Sequence, residues 1–245
     1  MSINTSLPET MLASGTRKAA AVVLAAVLAL FTGAIPAVAA DTLDSSTTTA
    51  AEPAGVAAAD LLATLPVKGR APKTGYERAL FGPTWADVDK NGCDTRNDIL
   101  RRDLTEITYT SSVPCTVKTG ILADPYTATS INFIRGTTTS SAVQIDHVVA
   151  LSDAWQKGAQ QLTTEQRTAF ANDPLNLQAT DGPTNQQKGD GDAATWLPPA
   201  KGFRCEYVAR QVSVKARYGL WVTQAEHDAI AGILASCPGQ PAPAY

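Results

Sequence analysis

Gln144-Ile145-Asp146-His147-Val148-Val149 is the stretch on which the reading of this chain turns. Residues 142–145 read as a strand, and that strand ends at Asp146-His147. Neighbouring side chains on a regular strand point to opposite faces. A carboxylate next to an imidazole can therefore serve one reacting centre only where the strand breaks into loop. The chain has only two histidines, and the other, His227, lies between Glu226 and Asp228 in a capped helix, where it reads as part of a solvated face.

Working outward, residues 151–161 read as a helix. Thr163-x-x-Gln166 forms a capping box for a second helix, which Asn172-Asp173-Pro174 stops. Residues 175–179, including Asn176, read as a short strand. Asp181-Gly182-Pro183 is a turn, and Thr184 caps a helix that carries Asn185 and Lys188 on one face, three residues apart. Upstream, residues 97–105 suit a short helix, and 107–116 and 131–135 suit strands. At the end, 203–218 and a helix opening at the box Thr223-x-x-Glu226 form an α-hairpin. Trp155, Trp196, Trp221 and Phe203 read as core packing.

Arg17-Lys18 precede an apolar run over 19–31, and Ala37-Val38-Ala39-Ala40 supplies the small residues of a cleavage site, so residues 1–40 read as an export signal. The run is shorter than the ~20 residues a membrane span needs, so no membrane association is expected after cleavage. Residues 41–73, rich in Ala, Ser, Thr and Pro, offer little apolar burial to offset the entropy of ordering and read as a flexible linker. That leaves 74–245 as one domain with a sizeable core.

Its four cysteines, Cys93, Cys115, Cys205 and Cys237, suit disulfides in an oxidising compartment. Four cysteines admit three pairings; Cys93 with Cys115 and Cys205 with Cys237 are favoured because each closes a local loop. A zinc knuckle needs cysteines about two to four residues apart, and none are so spaced. A net charge of −3 argues against a broad basic surface for nucleic acid, although a local basic groove remains open to the chain.

The order of Asp146-His147, Asn176 and Asn185-Gln-Gln-Lys188 resembles the ββα-metal core of HNH endonucleases. Tyr76-x-Arg78-x-x-Phe81-Gly82, Asp94-Thr95-Arg96-Asn97 and Asp173-Pro174-Leu175-Asn176-Leu177 extend the likeness to exported nucleases related to the GmrSD-type C-terminal domain. The resemblance implies an α+β fold, an HNH ββα-metal core embedded in a small disulfide-stabilised domain with a C-terminal α-hairpin. It implies a secreted endonuclease acting on DNA, with cleavage of RNA left open, through His147 as general base and Asn176 fixing the base's loop, Asn172 being the rival for that place. Asp146 and Asn185 are the implied metal ligands, an oxygen set that favours Mg²⁺ or Mn²⁺ over Zn²⁺.

Lys188, Arg96 and Arg135 are candidate phosphate contacts. Asp87, Asp89, Asn91 and Asp98, with Gly92 at the turn, have the spacing of a structural Ca²⁺ loop, although Asp98 stands where such loops carry Glu. A monomer is expected, and nothing in the sequence identifies an inhibitor protein. The alternative function is a non-catalytic exported binding module that retains the HNH fold. A Ser-His-Asp hydrolase would need a nucleophile elbow, and no Gly-x-Ser-x-Gly is present.

Overall fold

The computed structural model describes residues 55–111 and 115–244. The export signal and the linker up to residue 54 lie outside the described residues. From Gly55 onward the expected linker is part of the fold. Helix α1 (Ala58–Thr64) buries Ala58 and Leu62 against the C-terminal helices, and Leu65 joins the same cluster. Small alanines let this helix pack closely, which composition alone had suggested was solvated chain.

Helix α2 (Thr95–Asp103) is capped by Asp94, whose carboxylate accepts from Asn97 N–H. It leads into an antiparallel sheet of β1 (Leu104–Tyr109), β2 (Val117–Ala123) and β3 (Ser130–Ile134), in that order. The middle strand was not anticipated, because Gly120 interrupts its pattern. A Cβ at Gly120 would lie 2.7 Å from a Leu104 methyl, so the glycine is what lets β1 approach. Ile99, Leu100, Leu104, Val117, Leu122 and Phe133 pack beneath this sheet with residues of the next hairpin.

That hairpin carries Asp146 and His147. β4 (Val143–His147) pairs antiparallel with β5 (Leu177–Asp181), Ile145 opposite Ala179 and His147 opposite Leu177. Between them run α3 (Leu151–Gln156) and α4 (Thr164–Ala171); α3 is shorter than expected, a 3-10 turn taking over at 159–161. α4 carries the anticipated Thr163/Gln166 box. After β5 comes α5 (Gly182–Lys188), completing a ββα unit. Its cap is Asp181 rather than Thr184: the carboxylate accepts from both Thr184 N–H (2.8 Å) and Thr184 Oγ1–H (2.6 Å), and Pro183 sits in the first turn where no N–H is needed.

The C-terminal α-hairpin consists of α6 (Arg204–Arg217) and α7 (Gln224–Leu234), the latter opened by the Thr223/Glu226 box. Disulfides join Cys93 to Cys115 and Cys205 to Cys237. α6 is buried from Tyr207 to Lys215 and runs behind the hairpin. The fold is therefore the expected α+β arrangement.

Candidate active site

Asp146 and His147 end β4, and their side chains leave it in different directions. The Asp146 carboxylate accepts from Tyr126 Oη (2.6 Å) through one oxygen and from Lys188 Nζ (2.9 Å) through the other. Lys188, on the last turn of α5, also donates to the carbonyl of His147 (2.8 Å), and its side chain is fully buried. Burial, followed by the Asp146 charge, pushes the Tyr126 hydroxyl well above its ordinary value, so it stays a donor.

The His147 ring turns the other way. Its Nε2 lies 2.9 Å from the carbonyl oxygen of Ala171, at the end of α4. Burial pushes its pKa down to about 3, the positive charges of Arg78 and Lys188 adding to that and the Ala171 hydrogen bond opposing it. The ring is thus neutral, and because a carbonyl only accepts, Nε2 carries the proton and Nδ1 the lone pair. The Trp85 indole lies nearly parallel to it, at 11° with ring centroids 6.1 Å apart. Arg78, Phe81, Gly82, Trp85, Leu151 and Asn172 line a small open pocket beside this ring.

Asn176 is fully buried and ties the loop that follows the histidine. Its side-chain oxygen accepts from Val149 N–H (2.8 Å), and its amide nitrogen donates to the carbonyls of Val149 and Phe170, both at 3.3 Å. Asn185 is half-buried, and its amide nitrogen donates to Gln144 Oε1 (2.9 Å), which leaves its carbonyl oxygen as the end able to accept a proton or a cation.

The structure therefore brings Asp146 and Lys188 together and sets Asn185 on the same helix. Arg96 and Arg135 lie elsewhere: Arg96 donates to the carbonyl of Val143 (3.1 Å), and Arg135 to Asn97 Oδ1 (2.7 Å). In the 87–98 loop, Asn91 donates to Asp89 (2.9 Å) and Asp98 (3.1 Å), Asp87 accepts from Gly92 N–H (3.0 Å), and Asp98 also pairs with Arg101 (2.7 Å). Among the described residues, no three His, Cys, Asp or Glu side chains cluster to hold a metal. Sequence reasoning missed Arg78 and Trp85 as neighbours of His147. The Tyr76-x-Arg78-x-x-Phe81-Gly82 motif was the available signal for the first.

Residues 94–233, more than half of the chain, match the family described as GmrSD restriction endonucleases, C-terminal domain. The chain belongs to that family. This is a nuclease family, which implies a nucleic acid as substrate, and HNH nucleases generally use a divalent metal. Similar to this member is an "Uncharacterized secreted protein" of Arthroderma benhamiae, 38% identical over 187 residues that cover 76% of this chain and 87% of the relative. The family member described here is secreted as well, and among its described residues no helix is long and apolar enough to cross a membrane. No solved structure matches it.

Proposed function

We propose that the protein is a secreted, metal-dependent endonuclease that hydrolyses phosphodiester bonds of DNA with little sequence preference, and that RNA is a further substrate. One observation carries the reading: the His147 imidazole is neutral, its Nε2–H is held on the Ala171 carbonyl, and its other nitrogen is left as a base. Water is a poor nucleophile at neutral pH, and a positioned imidazole that takes its proton as the bond to phosphorus forms accelerates attack by roughly 10²–10⁴-fold. The negative charge of a bound phosphate raises the ring's proton affinity, opposing burial, Arg78 and Lys188. Loss of the 3′ oxygen then leaves a 5′ phosphate. Asn176 acts by position, fixing the segment that follows the base.

The donor types suit one hard divalent cation, Mg²⁺ or Mn²⁺, held by the Asp146 carboxylate and the Asn185 carbonyl oxygen. Lys188 and Tyr126 engage the two Asp146 oxygens, so a cation would take its place there by displacing one of these donors. When bound, the ion would offset charge on the phosphate and on the departing oxygen. Because Asp146 and His147 leave the strand in different directions, both reach one phosphate only across the end of β4.

The test is incubation of the purified protein with plasmid, linear DNA and RNA in Mg²⁺, in Mn²⁺ and in EDTA. His147→Ala is expected to lose nicking by at least about 100-fold while remaining folded, with a melting temperature lowered by the freed Ala171 carbonyl. Nicking at the wild-type rate in that variant removes His147 as base, and full activity in chelator rejects the metal. A second reading, a non-catalytic binding module with this fold, is favoured by one feature: Lys188 and Tyr126 engage both oxygens of Asp146. Binding of an oligonucleotide without cleavage in any divalent metal would select it.

A further inference from the structure

The three cations expected to meet phosphate all have internal partners: Arg96 on the Val143 carbonyl, Arg135 on Asn97, and Lys188 on Asp146. Arg78 is different. It is exposed, no described residue pairs with it, and it lines the pocket that His147 lines.

The segment bearing Arg78 is held firmly. The 3-10 turn Arg78–Phe81 places Phe81 in the core, and Arg167 donates to the Leu80 carbonyl (2.8 Å). Gly82 follows with φ 81°, and a Cβ there would lie 2.2 Å from Thr168 Oγ1, so the turn closes onto α4 only because that residue is glycine. Trp85 then adopts φ 57°, a strained conformation that a bulky side chain rarely takes. That conformation accompanies the stacking of its indole against His147.

Asn172 lines the same pocket at 1% exposure. Its amide nitrogen donates to the Thr168 carbonyl (2.9 Å), whereas its carbonyl oxygen has no donor. That oxygen calls for a donor, which a phosphodiester does not bring, so Asn172 is a wall of the pocket and not a phosphate contact.

We propose that Arg78 binds a non-bridging oxygen of the phosphate cleaved beside His147, and that Trp85 walls this phosphodiester subsite. The inference rests on the nuclease reading above and deepens it. A phosphodiester spreads one negative charge over two oxygens, which a planar guanidinium meets with paired N–H donors. Arg78 reaches the substrate from the side of the base, while the Asp146 side supplies the opposite contact.

The test compares wild type, Arg78→Gln and Arg78→Lys in two assays: plasmid cleavage in Mg²⁺, and anisotropy of a fluorescein-labelled oligonucleotide across NaCl concentration, the latter in a His147→Ala background. Arg78→Gln is expected to lower kcat/KM by at least about tenfold, to weaken oligonucleotide binding and to reduce its salt slope by about one; Arg78→Lys should recover part of each. Because Arg78 has no partner among the described residues, the melting temperature of Arg78→Gln should not move. Cleavage and binding equal to wild type in Arg78→Gln overturn the proposal while leaving the nuclease reading intact. If the wild-type chain cleaves nothing, the nuclease reading fails instead. Binding then judges the subsite alone: loss in Arg78→Gln supports it, and no binding by either protein overturns it.

Discussion

Lys188 and Asp146 show how much one buried pair can matter. Both are out of solvent, and the ammonium is shared between the Asp146 carboxylate and the His147 carbonyl. Replacing Lys188 by Met strands a buried carboxylate, and such a change costs about 3–5 kcal/mol. Urea denaturation should show it; a loss below about 1 kcal/mol would mean that water replaces the ammonium there. Asn176→Ala should lower stability through the orphaned Val149 N–H, by about 1–3 kcal/mol, and slow cleavage by loosening the loop after the base. A variant as stable and active as wild type would remove that positioning role. At this scale Asp146-His147 was legible, because adjacent residues of those types at a strand end are a local feature. Arg78 was not legible as a neighbour of His147, since its pocket is assembled from residues 78–85, the end of β4 and the end of α4.

Among the elements, those with local signals were the readable ones. The Thr163/Gln166 and Thr223/Glu226 boxes start α4 and α7 as their spacing requires. α5 begins two residues before Thr184 because Asp181 offers a better-placed acceptor. β2 was hidden by Gly120, whose role is set by Leu104 on another strand. The Cys205–Cys237 bond ties the start of α6 to the residues after α7, a separation of 32 residues. Cys205→Ser should cost about 2–4 kcal/mol and lower the melting temperature without changing cleavage, because neither cysteine lines the His147 pocket. An unchanged melting temperature would show that helix packing alone holds the hairpin.

For the whole molecule, the unforeseen feature is a buried ionic network. Lys157 pairs with Asp153 (2.7 Å), Asp192 (2.7 Å) and Glu226 (2.6 Å), Lys215 pairs with Glu226 (2.8 Å), and Arg70 bridges Asp153 (2.9 Å) and Asp192 (2.6 Å). It joins the end of α3, the 192 loop, both C-terminal helices and Arg70 from the expected linker. Burial alone would raise the Asp192 carboxyl, but Lys157 and Arg70 outweigh it and hold it below its ordinary value. Burial alone would lower the Lys157 ammonium, but Asp153 and Glu226 outweigh it and raise it.

The Asp192 contribution is therefore present above the unfolded carboxylate range, about 3.9, and is lost as pH falls through the lower folded value. The Lys157 contribution is complete below the unfolded range, about 10.4, and is lost as pH rises through the higher folded value. The melting temperature should be highest between these limits and fall at both ends. Thermal scans across pH check this, and a protein that melts higher in acid than at neutrality would contradict it.

The sequence by itself determined the ββα order, the helix caps, the cysteine content and the histidine beside a carboxylate, because each is written in neighbouring residues or short periodic spacing. Only the tertiary structure decided which cations are free and which are enclosed, that Lys188 faces Asp146, and that residues from Gly55 onward belong to the fold. Those outcomes depend on which distant surfaces meet, and burial and charge pairing arise only once they have met.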